Sequence, residues 1–153
     1  MWRKAVGAIV VKGKMFLMAE RVMRLSRNNT LVKVPAEWDI VKGGVEGRES
    51  EEGAVKRELL EETGSTKFKI LKKSKERLTY YYPTDVQVET GFVGQDMALF
   101  LVEYLGKPEE IKPDNEEIRN VGFFTREEVL KRLKYAETRE FFEKHAPGFK
   151  QKP

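Results

Sequence analysis

The sequence predicts an α/β (α+β) domain in which a mixed β-sheet is sandwiched between α-helices. Three observations carry that prediction. β-favouring apolar runs recur along the whole chain, and helical patterns with clear end signals interrupt them instead of following in a block. The 153 residues, 40% of them hydrophobic, suffice for one core and fall short of two comfortable ones. A single domain over residues 1–153 is expected.

Taken in order, Lys4 to Val11 and Lys14 to Glu20 read as strands joined by a hairpin at Lys12-Gly13. Residues 22–37 break the pattern with Asn28-Asn29 and Pro35, and read as a long loop with a short strand at most over Thr30 to Val34. Trp38 to Val41 resumes as a strand before a glycine turn. Ser50 is a good N-cap for a helix over Glu51 to Thr63, with Gly64 as its stop and Ala54, Val55 and Leu59 on its apolar side. Leu60 falls toward the flank. Strands are expected at Phe68 to Leu71, Arg77 to Tyr82, Met97 to Leu105 and Ile118 to Phe124. Thr125 caps a helix through Leu133, a last helix covers about 137–145, and the tail 146–153 is expected to be flexible. That makes three helices.

Composition excludes several chemistries. Without cysteine there is no disulfide, thiolate metal site or cysteine nucleophile. His145 is the only histidine and falls in a terminal helix, which argues against a histidine-based triad. The start lacks the apolar run and cleavage site of a secretory signal, and no stretch approaches the ~20 apolar residues of a membrane span. A cytoplasmic protein without a membrane partner is the expectation. The formal net charge of +4 does not repel a polyanion.

The stretch from Gly43 to Ser65 carries the chemistry. It holds seven glutamates: Glu46, Glu49, Glu51, Glu52, Glu58, Glu61 and Glu62. Glu58, Glu61 and Glu62 stand at helical spacings i, i+3 and i+4 near the helix C-terminus, where like-charge repulsion and the macrodipole both disfavour them. A divalent cation compensates such an arrangement. Carboxylate oxygens suit Mg²⁺ or Mn²⁺, and Mg²⁺ shares its coordination with substrate phosphates. Arg57 reaches Glu61 at i+4 and can hold a carboxylate in its ligating rotamer.

The spacing of Gly43, Glu49, Arg57-Glu58-Leu59-Leu60-Glu61-Glu62 and Gly64 resembles the G-x5-E-x7-R-E-U-x-E-E-x-G-U signature of the Nudix hydrolases, U being a bulky apolar residue. Ser65 is the one departure. The resemblance implies a Nudix-like fold with its box at 43–65 and metal-dependent hydrolysis of a phosphoanhydride bond. It also implies Glu58, Glu61 and Glu62 as ligands of Mg²⁺ or Mn²⁺, joined by a backbone carbonyl of Lys42 or Gly43. Glu61, Glu58 and Arg57 are then the catalytic candidates of the box, and Glu49 orients the site. Gly53 is unusual inside that helix.

The flanks bear on substrate. Family members acting on dinucleoside polyphosphates often carry a tyrosine downstream of the box, where Tyr80, Tyr81 and Tyr82 stand here. An aromatic face there can stack on a purine. Gly94-Gln95 resembles a turn in the subgroup of RNA 5′-pyrophosphohydrolases and plant-type diadenosine tetraphosphate hydrolases, and Arg3 matches an arginine that touches phosphate. Ala98-Leu99 replaces that subgroup's Lys-Trp. Glu117, with Glu116 as fallback, aligns with a further glutamate that binds metal or activates water. The resemblance thus adds Glu117 to the catalytic candidates and marks Arg3, Tyr80, Tyr82 and Gln95 as substrate-binding. Arg24, Arg27 and Lys33 are candidates to lie over the substrate, and the basic run from Lys67 to Arg77 reads as a solvated strand edge.

A nucleotide substrate such as diadenosine tetraphosphate is expected, with the triphosphorylated 5′ end of RNA as alternative. A non-catalytic nucleotide- or RNA-binding domain is the alternative from another class. Such domains typically lose box glutamates, and all are present here.

Overall fold

The computed structural model describes residues 1–26 and 28–146. Arg27 and the tail from residue 147 lie outside the described residues. An eight-stranded mixed sheet forms the middle layer. Its central strands are β1 (Trp2–Lys12) and β7 (Gly94–Tyr104), which run parallel from Trp2↔Gly94 to Val11↔Glu103. Ala5 to Val10 are buried without alternation, as in a strand covered on both faces.

The two covers are distinct. The helix α1 (Glu51–Thr63) lays Ala54, Val55 and Leu59 on Val6, Ala8 and Val10. On the opposite face, α3 (Arg126–Arg132) and α4 (Ala136–His145) bring Val129, Phe141 and Phe142 against Ala5, Ile9 and Leu99. The predicted sandwich is the observed one.

β1 and β2 (Met15–Leu25) pair only beside their hairpin turn, at Val11↔Phe16 and Lys12↔Met15. They then diverge. β4 (Val41–Gly44) takes over the free edge of β1 from Ala8↔Val41 to Ala5↔Gly44, and β8 (Ile118–Thr125) pairs along β2. This wedge sends Gly43 and Gly44 into the mouth between strands and starts α1 close by. The helix begins and ends where the sequence indicates. Ser50 Oγ accepts the Gly53 N–H at 2.9 Å, and Gly64 closes the helix at φ 71°. A Cβ at Gly53 would lie 3.1 Å from that same Oγ, which is a local reason for glycine there. Ser65, the departure from the signature, turns the chain: its Oγ accepts the Lys67 N–H.

Three expectations are corrected. The long 22–37 loop is a hairpin: β2 continues to Leu25 and pairs with β3 (Leu31–Asp39) around a short turn. Pro35 is accommodated because β3 is an edge strand, and Asn29 takes φ 62°, a conformation asparagine tolerates. Trp38 to Val41 is not one strand, since Ile40 separates β3 from β4. There are four α-helices instead of three. The unforeseen α2 (Thr84–Thr90) has no buried residue, so no apolar stripe announced it. Between them, β5 (Phe68–Lys73) and β6 (Leu78–Tyr81) share β7, and the exposed Lys69, Lys72 and Lys73 do line a sheet edge. No helix among the described residues is long and apolar enough to cross a membrane.

Candidate active site

A cleft of about 970 Å³ opens at the end of the sheet where β4 enters α1. Its floor includes Gly43, Gly44, Glu58 and Glu61, and its walls include Arg3, Tyr80, Tyr82, Gln95 and Glu117. The candidate residues from five separate segments therefore meet in one cavity, while the buried Glu62 is not part of its lining.

Arg57 organises the acidic side. Its Nε and Nη2 donate to the two oxygens of Glu49 at 2.6 and 3.0 Å, Nη2 also donates to the Gly44 carbonyl at 2.8 Å, and Nη1 donates to Glu58 at 2.9 Å. Glu61 follows at 3.4 Å, the predicted i+4 contact. The Arg57 bonds, and then the Glu46 N–H, hold the Glu49 pKa down at about 2. Glu49 is thus the anchor of the arginine.

Glu58 and Glu62 are buried, while Glu61 is 41% exposed and turned to Arg57. Burial raises the pKa of Glu58, and the charge of Glu61 adds to it. Burial raises that of Glu62 further, with the Glu58 charge adding. Glu62 Oε2 meets Arg21 Nη2 at 3.5 Å, and its Oε1 is buried without a hydrogen-bond partner. Among the described residues no three acidic side chains are gathered into a finished metal cage. The donor set nevertheless fits a hard divalent cation: two adjacent carboxyls pushed toward neutrality by burial, one with an orphaned oxygen, and a third at the cleft surface.

Glycine at 43 is required for space. A Cβ there would stand 2.0 Å from the Glu58 carboxyl carbon. Because a flexible side-chain end is what must move, Gly43→Ala is expected to fold normally yet displace Glu58. Titration calorimetry with Mn²⁺ should show affinity falling about tenfold or more. Unchanged affinity would remove Gly43 from the site.

Arg21 was not foreseen. It lies on β2, half-buried, and donates to Glu117 at 2.6 Å and to the Lys42 carbonyl at 3.4 Å while facing Glu62. It thereby ties the downstream glutamate to the helix. A lone arginine at the end of the apolar run Phe16 to Ala19 was the available signal. The Lys42 side chain was also missed. Burial opposes its charge, but Asp39 at 2.7 Å outweighs burial and holds its pKa above the ordinary value. Tyr135 had no sequence signal: it stacks on Tyr80 at 6.3 Å and 15°, and burial lifts its pKa to about 12.

On the far wall, Gln95 is 2% exposed and acts as a hub. Its Nε2 donates to the Tyr80 hydroxyl at 3.0 Å, and its Oε1 accepts from Tyr82 at 2.6 Å and from Arg3 at 3.5 Å. Arg3 lies over Gly44 and has no ion-pair partner among the described residues. Arg24 lines the cleft but is held by Glu89 at 2.5 Å, and Lys33 is exposed away from it.

Comparison with known proteins gives the family. The chain matches the NUDIX domain over residues 1–145. It belongs to the Nudix family. It is 40% identical over 79 residues to the RNA pyrophosphohydrolase of Zymomonas mobilis, covering 48% of this chain and 51% of that protein. It is 30% identical over 116 residues to Nudix hydrolase 26, chloroplastic, of Arabidopsis thaliana, covering 72% and 50%. The matches thus span about half the length of these relatives. The fold is shared with the Ap4A hydrolase of C. elegans, with a TM-score of 0.70 at 23% identity, covering 93% of each chain.

Proposed function

We propose that this chain hydrolyses a phosphoanhydride bond in a nucleoside-polyphosphate substrate with Mg²⁺ or Mn²⁺, a dinucleoside polyphosphate such as diadenosine tetraphosphate being the leading substrate. The observation that carries the reading is one cleft lined by Glu58 and Glu61, by a wall of tyrosines, and by Arg3, which has no ion-pair partner among the described residues. Glu58, Glu61 and Glu62 hold the cation, which when bound neutralises phosphate charge and acidifies the attacking water. Arg57 keeps Glu58 and Glu61 in place. Arg3 receives the phosphate chain as a guanidinium free to make bidentate bonds. Glu117, held by Arg21, faces the same cleft and is the further acid available to position or deprotonate water. Tyr80 and Tyr82 shape the wall against which a base rests.

A second reading, removal of pyrophosphate from the 5′ end of triphosphorylated RNA, is favoured by the names of relatives such as that of Zymomonas mobilis. The comparison of kcat/KM for diadenosine tetraphosphate, triphosphorylated RNA, ADP-ribose and nucleoside triphosphates separates them. The dinucleotide is expected to rank first. RNA in first place replaces the leading reading with the second, and no hydrolysis of any of these with Mg²⁺ or Mn²⁺ removes both.

A further inference from the structure

The cleft has a second aromatic element that neither the box nor the Tyr80–Gln95–Tyr82 network uses. Trp2, Gly94 and Tyr81 stand side by side in one row of the sheet, since Gly94 is the register partner of both Trp2 and Tyr81. Side chains directly opposite one another share a face of a sheet. Gly94 has none, so the two rings meet across it at 4.8 Å and 54°. Glycine is obligatory there, for a Cβ would lie 2.5 Å from Trp2 Cζ3 and 2.3 Å from the Tyr80 carbonyl oxygen. By the alternation of β1, Trp2 shares the face of Val6 and Ala8, the one covered by α1.

This pair is built and yet open. Tyr81 is 72% exposed, although a large aromatic ring is normally kept from water. Tyr80 differs: its hydroxyl is bound by Gln95 and one face is covered by Tyr135. Trp2 and Tyr81 line the same cleft as Glu58 and Glu61, with Arg3 next to Trp2 in sequence. The cleft volume, about 970 Å³, lies at the upper end of the roughly 300–1,000 Å³ usual for ligand sites. That leaves room for a substrate with two ends.

We infer that Trp2 and Tyr81 form a stacking shelf for the second nucleobase of a dinucleoside polyphosphate. The inference rests on the proposed function, and deepens it by assigning the distal end of the substrate. An aromatic ring accepts any base by its π-face, so the shelf selects for the presence of a base and not for its identity.

The test uses Tyr81→Ala, with Tyr81→Phe as the conservative control, in the full chain. Binding is measured by calorimetry without divalent cation, so that nothing is hydrolysed, for diadenosine tetraphosphate and adenosine 5′-tetraphosphate. Tyr81→Ala is expected to weaken the dinucleotide selectively by about tenfold, the size of one lost stacking contact, with Tyr81→Phe close to the parent. A Trp38→Phe background leaves Trp2 as the only tryptophan, and its emission should be quenched by the dinucleotide. In hydrolysis, the ratio of kcat/KM for the two nucleotides should fall by the same factor, through KM. Equal weakening of both ligands, or of neither, overturns the shelf whether or not the chain is a hydrolase. A selective loss in a chain that hydrolyses neither nucleotide upholds the shelf and overturns the proposed function.

Discussion

Glu62→Gln is expected to lower kcat/KM by on the order of 10²–10³-fold while making the cation-free protein more stable near neutral pH. The two effects have one cause. Glu62 is 1% exposed, and burial raises its pKa well above the ordinary 4.5. A folded-state pKa above the unfolded one contributes stability that is fully present below about 4.5 and lost as pH rises through the folded value. Ionising Glu62 without a cation therefore weakens the fold by up to about 1.4 kcal/mol per pH unit across that window. Glutamine fills the same volume and never ionises.

Arg21 does not reverse the sign. Its contact with Glu62 is long, at 3.5 Å, whereas Glu117 holds it at 2.6 Å and remains in the variant. Thermal melts from pH 5 to pH 8 in chelator should show the parent falling relative to Glu62→Gln. Carboxyls held low by partners, such as Glu49, slope the other way but cancel in this difference. Added Mg²⁺ or Mn²⁺ should restore the parent and leave the variant unmoved. Activity within tenfold of the parent, or a difference flat with pH, would sink the assignment of Glu62 as a ligand.

The helix α1 was legible in the sequence to the residue, because its signals are local. Ser50 and Gly64 mark its ends, and the spacing of Ala54, Val55 and Leu59 marks its buried side. The 22–37 hairpin was not. Asn28-Asn29 and Pro35 are turn and breaker signals when read locally, but what holds β3 is pairing with β2, and its edge position removes the penalty on Pro35. α2 was invisible for the opposite reason: with nothing buried, it carries no periodicity.

The site divides the same way. Glu58, Glu61 and Glu62 are set by helical spacing, so their placement on neighbouring turns of one helix could be read directly. Arg21, the Lys42 side chain and Tyr135 join the cleft through the divergence of β1 from β2 and the packing of α4, which are tertiary facts. Tyr80 and Tyr82 were singled out in the sequence, but their common tie to Gln95 is a tertiary fact.

Arg57→Lys, conservative in charge, is expected to be nearly as damaging as Arg57→Ala. The guanidinium serves four acceptor groups in three directions: both oxygens of Glu49, the Gly44 carbonyl, Glu58 and Glu61. One ammonium on a flexible stem cannot span that set. Glu58 is then left buried with a weaker partner, and the loop at Gly44 loses its tie to the helix. Metal affinity should fall by roughly 10–100-fold, as when a group that orients a ligand is lost. Because Arg57 is 21% exposed at the side chain, screening moderates the stability loss to about 1–3 kcal/mol. The decisive readout is a Mn²⁺ titration of the hydrolysis rate. If Arg57 acts through the carboxylates, the concentration for half-maximal rate rises in Arg57→Lys and most of kcat returns at saturation. If kcat stays depressed on the order of 10²-fold at saturating Mn²⁺, Arg57 contacts the phosphate chain itself, and its part in holding Glu58 and Glu61 is secondary.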